Sequence, residues 1–136
     1  MITNVFVLSS PPGAGKTTLS HQLKEQYNAI RYSFDELHCF KHSDLIPPII
    51  ESINNGNSVI VDALYSEARF RKELLQAISS IPCKKICIVL LTPLEECLKR
   101  NANREARLPD FVLHDLYNKF ELPTLDEGWD DIWYYK

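Results

Sequence analysis

The chain has 136 residues, 45% of them hydrophobic, and a formal net charge of −3. That length suits one compact domain with a single core, spanning 1–136, and leaves no room for a second catalytic domain. The acidic balance excludes a protein that coats nucleic acid through a broad basic face, though not one that grips a few phosphates locally.

Taken in chain order, the pattern alternates strand and helix. Val5 to Leu8 is a continuous apolar run, as expected of a parallel strand covered on both faces. It is too short to cross a membrane and lacks the pattern of a signal peptide, so a cytoplasmic location is expected. Leu19, Leu23 and Tyr27 recur at helical spacing. Ala29 to Phe34 reads as a second strand. Pro47 and Pro48 are tolerated only in the first turn of a helix, and Asn55-Gly56 is its stop signal. Ser58 to Val61 is a third strand ending at Asp62. Phe70, Leu74, Leu75 and Ile78 mark another helix, and Ile86 to Leu91 a fourth strand. Thr92-Pro93-Leu94-Glu95 combines a capping box with proline at the first helical position. Leu94, Cys97 and Leu98 give that helix a narrow apolar face. Pro109 opens a further helix with Val112, Leu116, Tyr117 and Phe120 on one side, and Ile132 to Tyr134 supplies a fifth strand. The fold expected is α/β: a P-loop NTPase of kinase type, with a five-stranded parallel sheet flanked by helices on both faces. The four cysteines, Cys39, Cys83, Cys87 and Cys97, have no zinc spacing and are expected reduced, packed as small hydrophobes.

Ser10-Pro11-Pro12-Gly13-Ala14-Gly15-Lys16-Thr17 follows the first strand and opens the first helix. It matches the nucleotide-binding pattern G-x-x-x-x-G-K-[ST], with Ser10 in place of the first glycine. The glycines let main-chain N–H groups point inward around a phosphate, and the helix N-terminus adds its positive end. Pro12, Gly13, Ala14, Gly15, Lys16, Thr17 and Thr18 are therefore assigned to a bound nucleotide. Lys16 reaches the β- and γ-phosphates and the Thr17 hydroxyl holds Mg²⁺. ATP and Mg²⁺ are the cofactors expected.

In doubly wound sheets the ligand crevice lies beyond the carboxyl ends of the strands. Asp35 and Asp62 fall there. Asp35 is the candidate base for the acceptor hydroxyl, or else the N-cap of a helix from Glu36. Asp62 is either an aspartate acting on Thr17 or metal-bound water, or a turn residue. Arg100 and Arg104 share a helix face, either as part of a lid over the triphosphate (around 99–110) or as a solvated face paired with Glu96 and Glu105. Position favours Arg104 as the lid arginine.

Four blocks together resemble a known family: the glycine-rich loop, Tyr32-Ser33-Phe34-Asp35, Lys99 to Arg104, and the stretch Tyr117 to Gly128. The chain resembles the 5′-kinase domain of polynucleotide kinases and the wider group of small P-loop kinases related to them. The resemblance implies that Lys16 and Thr17 bind the donor phosphates and metal. It implies that Asp35 takes the proton of a 5′-hydroxyl, and that Arg104 stabilises the transferred group. Two departures touch the acceptor. His38 stands where the family has a phosphate-gripping arginine, and Asp62-Ala63-Leu64-Tyr65 replaces a D-x-T-N pattern. Tyr65 either stacks on an acceptor base or packs in the interior. The acceptor is a 5′-hydroxyl nucleic-acid end or a small hydroxylated metabolite such as a sugar or nucleoside. A nucleotide-binding regulator without transfer activity is the reading of another class.

Overall fold

The computed structural model describes residues 3–11, 14–33, 41–63, 65–103 and 107–135. Five parallel strands form one sheet: β1 (Asn4–Ser9), β2 (Ile30–Ser33), β3 (Val59–Asp62), β4 (Lys84–Leu90) and β5 (Asp131–Tyr135), in the spatial order β2-β3-β1-β4-β5. Each parallel neighbour needs a crossover, and the helices supply it: α1 (Lys16–Tyr27), α2 (Ile46–Asn54), α3 (Ala68–Ala77), α4 (Leu94–Ala102) and α5 (Asp110–Asn118). β1 lies between β3 and β4, with Phe6 opposite both Ile60 and Ile86. The loop after β1 therefore emerges at the middle of the sheet's carboxyl edge, where strand order switches direction.

The strands read as unbroken apolar runs because both faces are covered. Val5, Val7, Val59, Val61, Cys87 and Val89 face one layer, closed by Ile49 and Ile53 of α2 and Leu74 and Leu75 of α3. Phe6, Leu8, Ile60, Ile86 and Ile88 face the other, against Leu23 of α1, Cys97 of α4 and Leu113 of α5. Phe6, Tyr27 and Trp133 pack there as tilted rings, with centroids 4.7 Å apart for Phe6–Tyr27 and 5.6 Å for Phe6–Trp133. Cys87 and Cys97 are buried and Cys83 is half-buried, all as free thiols. Burial pushes the Cys87 thiol up to about 12. Among the described residues, no helix is long and apolar enough to cross a membrane.

Pro47 and Pro48 sit in the first turn of α2, and the chain turns out after Asn54 through Gly56 at φ 82°. Two helix expectations are corrected. No capping box forms at Thr92: the helix starts at Leu94 with Pro93 as its N-cap and no side-chain cap. Thr92 lies one position outside the cap, and its hydroxyl donates to the main-chain oxygen of Ala14 at 2.9 Å. The apolar side of α5 centres on Leu113, which the expected set omitted. Phe120 lies past the helix end at Asn118, so its helical spacing to Tyr117 has no meaning. It packs on the opposite layer of the core from Tyr117.

Candidate active site

β1 delivers the chain, fully buried through Ser9 and Ser10, to the phosphate loop. Gly15 precedes the first residue of α1 at φ 97° and ψ 21°, a left-handed conformation that L side chains disfavour. A Cβ at Gly15 would also lie 2.7 Å from Nη1 of Arg100. Glycine is thus favoured by backbone conformation, and the half-exposed Arg100 guanidinium would have to shift to admit any Cβ. Lys16 is half-buried, while Thr17 and Thr18 are exposed at the open end of α1. The carbonyl of Ala14 is anchored by Thr92, whose own carbonyl accepts the Tyr117 hydroxyl at 3.3 Å. The loop is thereby braced from the β4–α4 connection and from α5.

Beside the loop opens a cavity of about 480 Å³ lined by Ala14, Gly15, Thr18, Gln22, Arg100 and Tyr135, among others. Arg100 is about half exposed, and its Nε donates to Glu96 Oε1 at 3.3 Å. The structure therefore brings Ala14, Gly15, Thr18 and Arg100 around one space. Pro12, Gly13, Asp35, His38 and Arg104 lie outside the described residues.

Asp62 ends β3 beside α1, but its carboxylate is already engaged. Oδ2 forms an ion pair with Nη2 of Arg31, both side chains nearly inaccessible to solvent. The Ser20 hydroxyl lies 3.0 Å from the same oxygen and 2.8 Å from the carbonyl of Thr17, and it accepts from Arg31 Nε at 2.7 Å. Ser20 has one proton, so it serves Asp62 or Thr17 at any moment, not both. Of the two readings of Tyr65, the structure gives the interior one. The residue is wholly buried, edge-on to His42 with centroids 4.6 Å apart, and its hydroxyl has no partner among the described residues. Burial, with the charge of Glu73, pushes that hydroxyl well above the usual tyrosine range.

Arg31 and Ser20, and Arg71 of α3, whose buried guanidinium bonds Ser9 and Glu127, were not singled out from the sequence. Each acts on a residue far along the chain, and no local spacing announces them. Gln22 and Tyr135 enter the cavity wall only because α1 and the end of β5 converge there.

The family model described as chromatin associated protein KTI12 matches residues 31–131. The chain belongs to the KTI12 family. The match begins after the phosphate loop, so family membership does not rest on the glycine-rich motif. Two curated relatives of this KTI12-family chain each share 26% identity over 93% of it. One is L-seryl-tRNA(Sec) kinase of Methanococcus maripaludis, aligned over 145 residues and 56% of its own length. The other is protein kti12 of Schizosaccharomyces pombe, aligned over 152 residues and 54% of its length. The chain thus spans about half the length of the curated relatives it matches. Among solved structures, Chaetomium thermophilum Kti12 in complex with ADP-AlF3 superposes with a TM-score of 0.76 at 16% identity, covering 96% of this chain and 87% of that one. At that identity the likeness shows the fold, a small P-loop kinase-like one. These matches reach the wider group of small P-loop kinases and do not single out the polynucleotide 5′-kinase branch.

Proposed function

We propose that this KTI12-family chain binds ATP with Mg²⁺ in the loop between β1 and α1 and transfers the terminal phosphoryl group to a hydroxyl carried by tRNA. The observation that carries the reading is the pairing of left-handed Gly15 with the Arg100 guanidinium at the mouth of a cavity about 480 Å³ in volume. Main-chain amides at a helix N-terminus together with a cation suit an anionic phosphate chain, and the adjoining space suits a nucleoside. The exposed Thr17 hydroxyl is a fitting hard-oxygen ligand for magnesium. Bound there, Mg²⁺ supplies charge neutralisation on the phosphate oxygens. Lys16 holds the donor phosphates, and Arg100 and Arg104 hold charge as it develops on the transferred group. Asp35 accepts the acceptor's proton as the new oxygen–phosphorus bond forms and ADP leaves. The tRNA acceptor is favoured by the relative named L-seryl-tRNA(Sec) kinase, aligned over 93% of this chain. A 5′-hydroxyl nucleic-acid end and a small metabolite remain the acceptors suggested by the sequence.

A second reading is supported by Asp62. Its Oδ2 is held by Arg31 and Ser20 rather than left open to organise metal-bound water. That favours a protein whose nucleotide drives binding of a partner without phosphoryl transfer.

Incubation with γ-labelled ATP and Mg²⁺ tests both, with tRNA, a 5′-hydroxyl oligonucleotide and a metabolite panel offered in turn. Label on the tRNA, offered with and without its amino acid attached, is the expected result. Label on the oligonucleotide alone moves the assignment to a polynucleotide kinase, and label on a metabolite to a small-molecule kinase. ADP release with no labelled acceptor supports the second reading. Failure to bind nucleotide at millimolar concentration removes both.

A further inference from the structure

The stretch from Tyr117 to Gly128 stands out in the sequence, and phosphate binding does not explain it. In the structure its two glutamates reach the same helix. Glu121 donates its N–H to the Ser66 carbonyl at 2.8 Å, and its Oε1 accepts the N–H of Ala68 at 3.3 Å, where α3 begins. Glu127 takes the fork of Arg71: Nε to Oε1 and Nη2 to Oε2, each at 2.9 Å. The Trp129 indole N–H adds a bond to Oε1 at 2.9 Å. Residues 121–129 thus form a strap laid along α3.

Arg71 is fully buried. Its third nitrogen, Nη1, donates to the carbonyl of Tyr65 at 2.9 Å and to the Ser9 hydroxyl at 3.2 Å. The Ser9 hydroxyl itself donates to the Tyr65 carbonyl at 2.7 Å. Ser9 is the last residue of β1, one step before the phosphate loop, and Tyr65 lies in the connection after β3. One guanidinium therefore joins the stem of the loop, the connection after β3 and the strap. Stability alone does not account for an arginine here, because replacing a buried ion pair by well-packed apolar groups is often neutral or stabilising. What an apolar residue lacks is a planar set of directional donors, which fixes distances between the segments it joins.

We infer that Arg71, oriented by Glu127, is a positioning residue for nucleotide binding: it sets the stem of the phosphate loop at Ser9 against the connection at Tyr65. The inference rests on the nucleotide-binding reading above. Neither side chain needs to touch the nucleotide. Their contribution is to pre-organise the loop, so that binding does not have to order it.

The test is calorimetric affinity for MgATP at a temperature where every protein is folded, compared with thermal stability. The proteins are wild type, Glu127→Gln, Glu127→Asp, Ser9→Ala and a core control in α2, Ile53→Val. Glu127→Gln is expected to weaken MgATP roughly tenfold and Ser9→Ala about threefold, with Glu127→Asp recovering most of the loss. The control loses stability and keeps wild-type affinity. Wild-type affinity in Glu127→Gln makes the pair a structural one and overturns the inference. If Glu127→Gln does not fold, Ser9→Ala carries the test, since it leaves the ion pair intact; unchanged affinity there overturns the inference equally. A wild type that binds no MgATP sinks the underlying nucleotide reading, a result distinct from either of these.

Discussion

The phosphate loop starts at Ser10 and the strap reaches Ser9 through Arg71, yet the two are built in opposite ways. The loop is contiguous in sequence, residues 10–17, with Gly15 left-handed where α1 begins, and in the proposed reading its main-chain amides supply the chemistry. The strap works through side chains and at long range, Glu127 meeting Arg71 56 residues away and Glu121 meeting Ala68 53 residues away. A site made of backbone must advertise itself in composition, because only glycine fits certain positions. A site made of side-chain forks places ordinary residues at unrelated points of the chain.

Breaking each region should therefore give different losses. Arg71→Ala leaves Glu127 mostly buried without its cation, and a stability loss of about 3–5 kcal/mol is expected from urea or thermal unfolding. A loss under about 1 kcal/mol would show that the strap does not clamp α3. Lys16→Ala should do the reverse. Charge-assisted bonds to phosphate are worth about 1.5–3 kcal/mol each, so nucleotide affinity falls about a hundredfold by calorimetry, with a much smaller stability loss than Arg71→Ala. Gly15→Ala is compared with Gly56→Ala. Both sit at positive φ, at a strain of about 1–2 kcal/mol, but only at Gly15 does the added Cβ meet a neighbour within 4 Å, Arg100. The excess loss at Gly15, read from paired melting curves, reports the guanidinium contact. Equal losses would mean that Arg100 simply swings away.

The smallest effect is a pH dependence. Burial alone would raise the Glu127 carboxyl, but the bonds from Arg71 and Trp129 and the charge of Arg71 hold it below its ordinary value of 4.5. Because the folded value is the lower one, the unfolded chain binds the proton first as pH falls. Glu127's contribution to stability is present above about pH 4.5 and fades below it. Glu127→Gln should flatten that part of the stability profile. A profile with the wild-type acid limb would assign acid sensitivity to other carboxylates.

The same contrast explains what could be read before the structure was known. The sheet was legible because apolar runs covered on both faces have few alternatives, and the loop because glycine and lysine spacing reflects local geometry. The layer assignment of Phe120 was not legible, since it depends on α5 ending at Asn118 rather than one turn later. Thr92 had the spacing of a capping residue, but Pro93 takes the N-cap position, and only the fold brings the Thr92 hydroxyl to the Ala14 carbonyl. Asp62 could be placed at the end of β3 from its apolar run, whereas its pairing with Arg31 requires the β2–β3 register, with Arg31 opposite Ile60.

Asn101 carries one more consequence. Buried in α4, its carboxamide bonds the backbone of Leu108 twice, Nδ2 to the carbonyl at 2.7 Å and Oδ1 to the N–H at 3.0 Å. A side chain here plays the part of an adjacent strand, pinning both ends of the intervening segment whatever its length. Each doubling of such a segment adds only about 0.6 kcal/mol of closure entropy. The connection between α4 and α5 is thus clasped at its two ends, so lengthening it would cost the sheet beneath little in closure entropy.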